Sequence, residues 1–237
     1  MQGLRSDGRS SGVILHPTSL PGPFGIGDLG KAAHDWVELL ASTGTGLWQT
    51  LPVGPTGYGD SPYQCFSAFA GNTNLIAPDL LVHDGLIEPP ESPDFPAASV
   101  DFGSVIPWKR TVLAAAYSRF RRRQVDPLIA EEFERFRSEQ HWLDDYAQFM
   151  AIKAAHGGGS WQDWPDELRL REPKALAAAR QRLSYAIDRT RFSQFLFFRQ
   201  WDKLHQHAAR RGVRIIGDVP IFVAGDSADV WANPELF

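Results

Sequence analysis

The sequence predicts an α/β fold: an interrupted (β/α)8 TIM barrel, of which this chain supplies about the first three strands plus a helical insertion. Three observations predict it. Short apolar segments recur at 12–15, 47–51 and 213–219. A helical repeat separates the first two, as a right-handed parallel crossover requires. A long Gly- and Pro-rich loop follows each segment, at the strand end where α/β sheets and barrels build their sites.

The elements follow in order. Residues 1–11, MQGLRSDGRSS, read as a disordered lead-in. The first strand, at 12–15, runs into HPTSLPGPFGIGDLG, a structured loop. Its GxG at Gly25–Gly27 lacks the full GxGxxG pattern and the later acidic partner of a dinucleotide site. Asp28 reads as an N-cap. Leu29, Ala33, Trp36 and Leu40 recur at helical spacing, and Gly44 closes that helix. Residues 76–106, with EPPESPDFPAA, read as a surface-running insertion. Helices are expected at 107–123, with Pro107 in the first turn, at 127–137 and at 141–156. Another, at 174–182, continues with a bend toward Arg211, and Gly212 ends it. VRIIGDV at 213–219 is a nearly continuous apolar run, which predicts a strand buried on both faces. The expected domains are therefore a first βαβ unit at 12–75, a mainly helical insertion at 76–184, and a return to the barrel at 185–237. Eight strands close a barrel, and about 250 residues are typical before insertions. The chain is thus expected to be the N-terminal part of a longer protein.

Composition excludes several classes. The chain has 237 residues, 43% hydrophobic and 22% charged, with net charge −4, so it is an ordinary globular chain. No basic balance points to nucleic acid. The basic run at 119–123 sits in a helical pattern and reads as a solvated face. No apolar run is long enough to span a bilayer, and no signal region opens the chain. One cysteine, Cys65, rules out an intrachain disulfide and suits a reducing compartment, so a cytoplasmic location is expected. Cys65 reads as a packing residue.

The stretch at 47–75 concentrates the chemistry. Gly54, Pro55, Gly57, Gly59, Pro62 and Gly71 exclude a helix or ladder strand. Tyr58, Tyr63, Phe66 and Phe69 alternate with Thr56, Asp60, Ser61, Gln64 and Ser67. Flat apolar faces beside hydrogen-bonding groups suit a pyranose, which offers a C–H face and a rim of hydroxyls. The same composition also suits an ordered Ω-like loop whose aromatics only pack it down.

Three stretches carry a resemblance: HPTSLPGPFGIGDLG, GPTGYGDSPYQCFSAFAGN and GDVPIFVAGDSADVWANPELF. In order and spacing they resemble the 4-alpha-glucanotransferases, the amylomaltases or disproportionating enzymes of glycoside hydrolase family 77. The resemblance spans residues 12–237. Thr73 departs from it where family members often have Pro, as does Gly225 where a larger residue is common.

The resemblance implies a retaining transferase that moves α-1,4-glucan segments between maltooligosaccharides, with no metal or organic cofactor. It implies that the catalytic carboxylates lie beyond Phe237, so that no catalytic residue lies in this chain and the chain alone is inactive. It assigns substrate-binding roles to five residues. Tyr63 would stack a sugar ring beside the scissile bond. Asp60 and Ser61 would bind hydroxyls or hold the loop, and Tyr58 would bind glucan outside the cleavage point. Asp218 matches a third-strand aspartate that shapes the subsite of the sugar being cleaved. Alternatives are a retaining α-glucan hydrolase on the same scaffold and a non-catalytic glucan-binding fragment. His16, Asp226 and Asp229 read as loop-setting or capping residues.

Overall fold

The computed structural model describes residues 9–237, apart from the side chain of Tyr58. Most of the lead-in at 1–11 therefore lies outside the described residues. Three short strands, β1 (Gly12–Ile14), β2 (Leu47–Gln49) and β3 (Arg214–Ile216), form a parallel sheet in the order β1-β2-β3. Gly12, Val13 and Ile14 pair with Leu47, Trp48 and Gln49, which pair in turn with Arg214, Ile215 and Ile216. Trp48, at the centre of the middle strand, is fully buried, and its indole N–H donates to the Leu15 carbonyl at 2.8 Å.

Helix α1 (Lys31–Ser42) makes the crossover from β1 to β2. Its apolar stripe of Ala33, Val37 and Leu40 is buried. Gly44 takes φ +73°, the left-handed geometry of a helix C-terminus, and Thr45 N–H reaches back to the Leu40 carbonyl at 2.9 Å. Asp28 does not cap this helix. Gly30 holds the N-cap position, and Asp28 Oδ1 accepts from the Gly30 N–H at 3.0 Å. The other Asp28 oxygen faces the buried ammonium of Lys109 at 3.4 Å. A short polar residue before a helix suits a cap and a buried ion pair alike, and here a distant lysine decides between them.

The excursion between β2 and β3 is helical. It contains α2 (Pro78–His83), α3 (Phe102–Arg121), α4 (Pro127–Glu139), α5 (Leu143–Ala155), α6 (Asp166–Arg169), α7 (Pro173–Arg182) and α8 (Ser184–Arg210). Helix α3 begins earlier than the proline suggests, so Pro107 lies in its second turn. Both Pro107 and Gly103 are exposed, which lets water satisfy the carbonyl that the missing N–H leaves free. The bend expected on the way from 182 to Arg211 falls at Leu183, which leaves helical geometry and separates α7 from α8.

Helix α8 is the spine of the molecule. Phe192, Phe195, Leu196, Phe197 and Leu204 are buried in one cluster with Trp48, Leu29 and Val37, and with Val112 and Phe133 of α3 and α4. A second cluster joins α5, α6 and α7 to Trp231 of α9 (Ala228–Ala232). The Arg211–Gly212 turn ends α8, with Gly212 at φ +74°.

Strand β3 departs from expectation. Its residues are not buried on both faces: Ile215 packs against the core, but Ile216 is 41% exposed, as is Ile14 of β1 at 64%. Helices cover one face of the sheet only. The opposite face is the one a closed barrel fills with side chains from all its strands, and three strands cannot enclose it.

Candidate functional site

The loops after β2 and β3 converge at the carboxyl ends of the strands. The first doubles back on itself. Gly57 N–H donates to the Gln64 carbonyl at 2.6 Å and Phe66 N–H to the Pro55 carbonyl at 3.3 Å, with Thr56 bridged antiparallel to Cys65. This folding depends on the turn between these arms, where Gly59 (φ +70°) and Asp60 (φ +54°) both take left-handed backbone. Asp is among the few side chains that tolerate that geometry. The Ser61 hydroxyl oxygen accepts from the Tyr63 N–H at 3.3 Å, so Ser61 shapes the turn that presents Tyr63.

The exit of this loop is clamped from α8. The Gln194 side-chain amide accepts from Gly71 N–H at 2.7 Å and donates to the Gly71 carbonyl at 2.9 Å. A Cβ on residue 71 would sit 2.0 Å from the Phe197 ring, which accounts for glycine there.

One contact joins the two loops across the sheet. The Tyr63 hydroxyl donates to Asp218 Oδ2 at 2.9 Å. That hydrogen bond raises the Tyr63 phenol above the ordinary tyrosine range, because a carboxylate partner favours the protonated form. The Tyr63 ring is 47% exposed and Asp218 is half-buried. The carboxylate keeps acceptor capacity beyond the phenol, and the ring keeps an open face. Asp218 also lines a cleft of about 130 Å³, together with Pro62, Phe69, Phe198, Trp201 and Pro220 among others. Asp218 is the one carboxylate among the cleft's described lining residues.

Of the five residues expected at the site, Tyr63 and Asp218 meet directly. Asp60 and Ser61 form the turn beside them. The Tyr58 side chain lies outside the described residues. Sequence reasoning missed the aromatic wall contributed by Phe198 and Trp201 of α8, whose spacing reads only as a core stripe.

The remaining polar groups of the loops brace them. His16 Nδ1 accepts from Thr18, and its other ring nitrogen reaches the Pro52 carbonyl at 3.3 Å. Both roles need a neutral imidazole, and burial holds its pKa below the usual histidine value. Asp229 Oδ2 accepts from Ala68 N–H at 2.9 Å, and Ser227 caps α9. Cys65 is buried, and burial pushes its thiol pKa up. It is expected to react with an aromatic disulfide reagent only as fast as the protein opens, which stopped-flow absorbance with and without denaturant measures. Among the described residues no group of three or more His, Cys, Asp or Glu could hold a metal ion, and no helix is long and apolar enough to cross a membrane.

The family model for the 4-alpha-glucanotransferases of glycoside hydrolase family 77 matches residues 15–237. The chain belongs to this family. It is 51% identical over 230 residues to a 4-alpha-glucanotransferase of Thermus thermophilus, covering 97% of this chain and 46% of that protein. A Synechocystis 4-alpha-glucanotransferase is 46% identical, over 98% of this chain and 46% of its own length. The chain thus spans just under half the length of these relatives. An amylomaltase from Streptococcus agalactiae, solved in complex with acarbose, superposes with a TM-score of 0.91 at 42% identity. That match covers 97% of this chain and 47% of the other. The three parallel strands and their helices are accordingly part of an interrupted α/β barrel of this family.

Proposed function

We propose that this chain supplies a glucan-binding wall of a 4-alpha-glucanotransferase. The whole protein would move α-1,4-glucan segments between maltooligosaccharides by a retaining double displacement. The observation that carries this reading is the 2.9 Å bond between Tyr63 and Asp218, which fixes an open aromatic face beside a half-buried carboxylate. A pyranose lies with its C–H face on the Tyr63 ring. Its hydroxyls donate to the free lone pairs of Asp218, a charge-assisted contact roughly twice as strong as a neutral one. Asp60 and Ser61 hold the turn and offer further hydroxyl partners, and Tyr58 extends the glucan contact away from the reacting bond. The helices at 76–184 form an insertion between the second and third barrel strands.

Retention requires two carboxyl groups about 5–5.5 Å apart, one to attack the anomeric carbon and one to protonate the leaving oxygen. A second glucan's 4-hydroxyl then resolves the covalent intermediate. Among the described residues that line the cleft Asp218 is the one carboxylate, and a phenol already engages it. This supports the reading in which Asp218 shapes the subsite and other parts of the whole protein supply the reacting pair. The single buried cysteine suits a cytoplasmic setting.

Chromatography of the purified 237-residue chain incubated with maltotriose tests this division of roles. The expected result is intact maltotriose. Glucose together with maltopentaose would put the reacting carboxylates inside these residues. Glucose and maltose without longer products would replace transfer by hydrolysis.

A further inference from the structure

We propose that Lys153, on helix α5 of the insertion, is a positioning residue for the two site loops, holding Tyr63 and Asp218 in register through Asp226 and Phe66. The inference rests on the glucan-wall reading for its functional meaning, and on contacts alone for its geometry.

The two loops form a closed ring. At one end Tyr63 donates to Asp218. At the other end Ala228 N–H donates to the Phe66 carbonyl at 2.8 Å, and Ala68 N–H donates to Asp229 at 2.9 Å. Lys153 sits at that second end. Its side chain is 6% exposed, and its ammonium donates to Asp226 Oδ2 at 2.6 Å and to the Gly159 carbonyl at 3.0 Å. The same ammonium lies 5.0 Å from the Phe66 ring centroid and 5.8 Å from that of Phe149. One buried charge thereby touches the third-strand loop at Asp226 and the second-strand loop at Phe66.

Asp226 is tied further. It accepts from Trp161 N–H at 3.3 Å, and the Trp161 indole donates to the Gly225 carbonyl at 2.8 Å. Between Asp218 and Asp226 the chain is weakly held, with Ile221 fully exposed and Phe222 76% exposed. Strand β3 locates Asp218, just beyond Ile216, whose carbonyl accepts from Thr50 N–H at 2.9 Å; the far end locates the second-strand loop, and Tyr63 with it, against that fixed point. A buried ammonium also fixes direction better than an apolar side chain would, because its partner carboxylate cannot relax away without losing its counter-charge.

Tyrosine ring-carbon NMR tests this on the 237-residue chain labelled at tyrosine Cζ, with Tyr63→Phe identifying the resonance. In the parent, Tyr63 is expected to titrate at higher pH than an ordinary exposed tyrosine, and Asp218→Asn to abolish that difference. Lys153→Met and Asp226→Asn are each expected to bring Tyr63 down to the ordinary range while the helical circular dichroism stays native. Lys109→Met removes another buried ammonium, whose one loop contact, the Ile76 carbonyl, lies at the exit of the second-strand loop beyond the Gly71 clamp, and it is expected to lower stability without moving the Tyr63 titration. An unchanged Tyr63 titration in folded Asp226→Asn would overturn the proposal, and this variant decides if Lys153→Met does not fold. Titration with maltoheptaose on the parent is read separately. Absence of binding would sink the glucan-wall reading and leave the Lys153 result standing.

Discussion

Replacing Lys109 with methionine is expected to destabilise the protein by about 3–5 kcal/mol at neutral pH, because it leaves a buried carboxylate without its partner. The Lys109 side chain is 1% exposed and that of Asp28 is 12% exposed. The ammonium donates to the Ile76 carbonyl at 2.6 Å and faces Asp28 Oδ2 at 3.4 Å. It thereby ties the loop after β1 to the exit of the loop after β2. Burial pushes the Asp28 carboxyl above, and the Lys109 ammonium below, its ordinary range, and their mutual attraction works against both shifts. Removing the cation raises the Asp28 pKa further. A carboxyl whose folded pKa lies above its unfolded value stabilises fully below the unfolded pKa and loses that contribution as pH rises through the folded one. The penalty of Lys109→Met should therefore shrink on acidification toward pH ~4, the ordinary carboxylate range. Urea denaturation of parent and variant across pH measures it. Adding Asp28→Asn keeps the acceptor for the Gly30 N–H and removes the charge, so it should recover much of the loss at pH 7. A pH-independent penalty would show that lost packing, not the orphaned charge, sets the cost.

The second large effect concerns affinity. Tyr63→Ala is expected to weaken maltooligosaccharide binding by about 30-fold or more, as truncation of a central aromatic anchor costs about 2 kcal/mol or more. Its stability should change by no more than about 0.5 kcal/mol, because the ring is 47% exposed and buries little. Tyr63→Phe separates two contributions. It keeps the ring face and removes the hydroxyl that holds Asp218, so its loss of affinity should be intermediate. Calorimetric titration with maltoheptaose, paired with thermal melts, reads both quantities. Substantial unfolding with unaltered affinity would instead make Tyr63 a packing residue of the loop.

Local chemistry made much of this architecture readable before any coordinates. Gly44 and Gly212 announce the ends of their helices because glycine takes the left-handed geometry most readily. The aromatic stripe of α8 announces a buried spine, and the loops after the strands announce where a site is built. Partners distant in sequence stayed hidden. Lys109 and Asp28 are 81 residues apart, and Lys153 and Asp226 are 73 apart. Neither pair leaves a local pattern, so Asp28 reads as a helix cap and Lys153 as an ordinary helix residue. Strand β3 misled for a different reason. An apolar run reports that a segment avoids water, and it cannot report which face its neighbours cover. At the site, residue types showed which side chains could meet a sugar. The Tyr63–Asp218 contact, across 155 residues of sequence, needed the fold.

The central claim is that the paired loops after β2 and β3 bind glucan. Amide NMR of the 237-residue chain, titrated with maltoheptaose, tests it most directly. The account predicts saturable shifts concentrated at residues 58–67 and around Asp218, greatly weakened in Tyr63→Ala. Shifts that avoid both loops, or no saturable shifts from a folded sample, would contradict it.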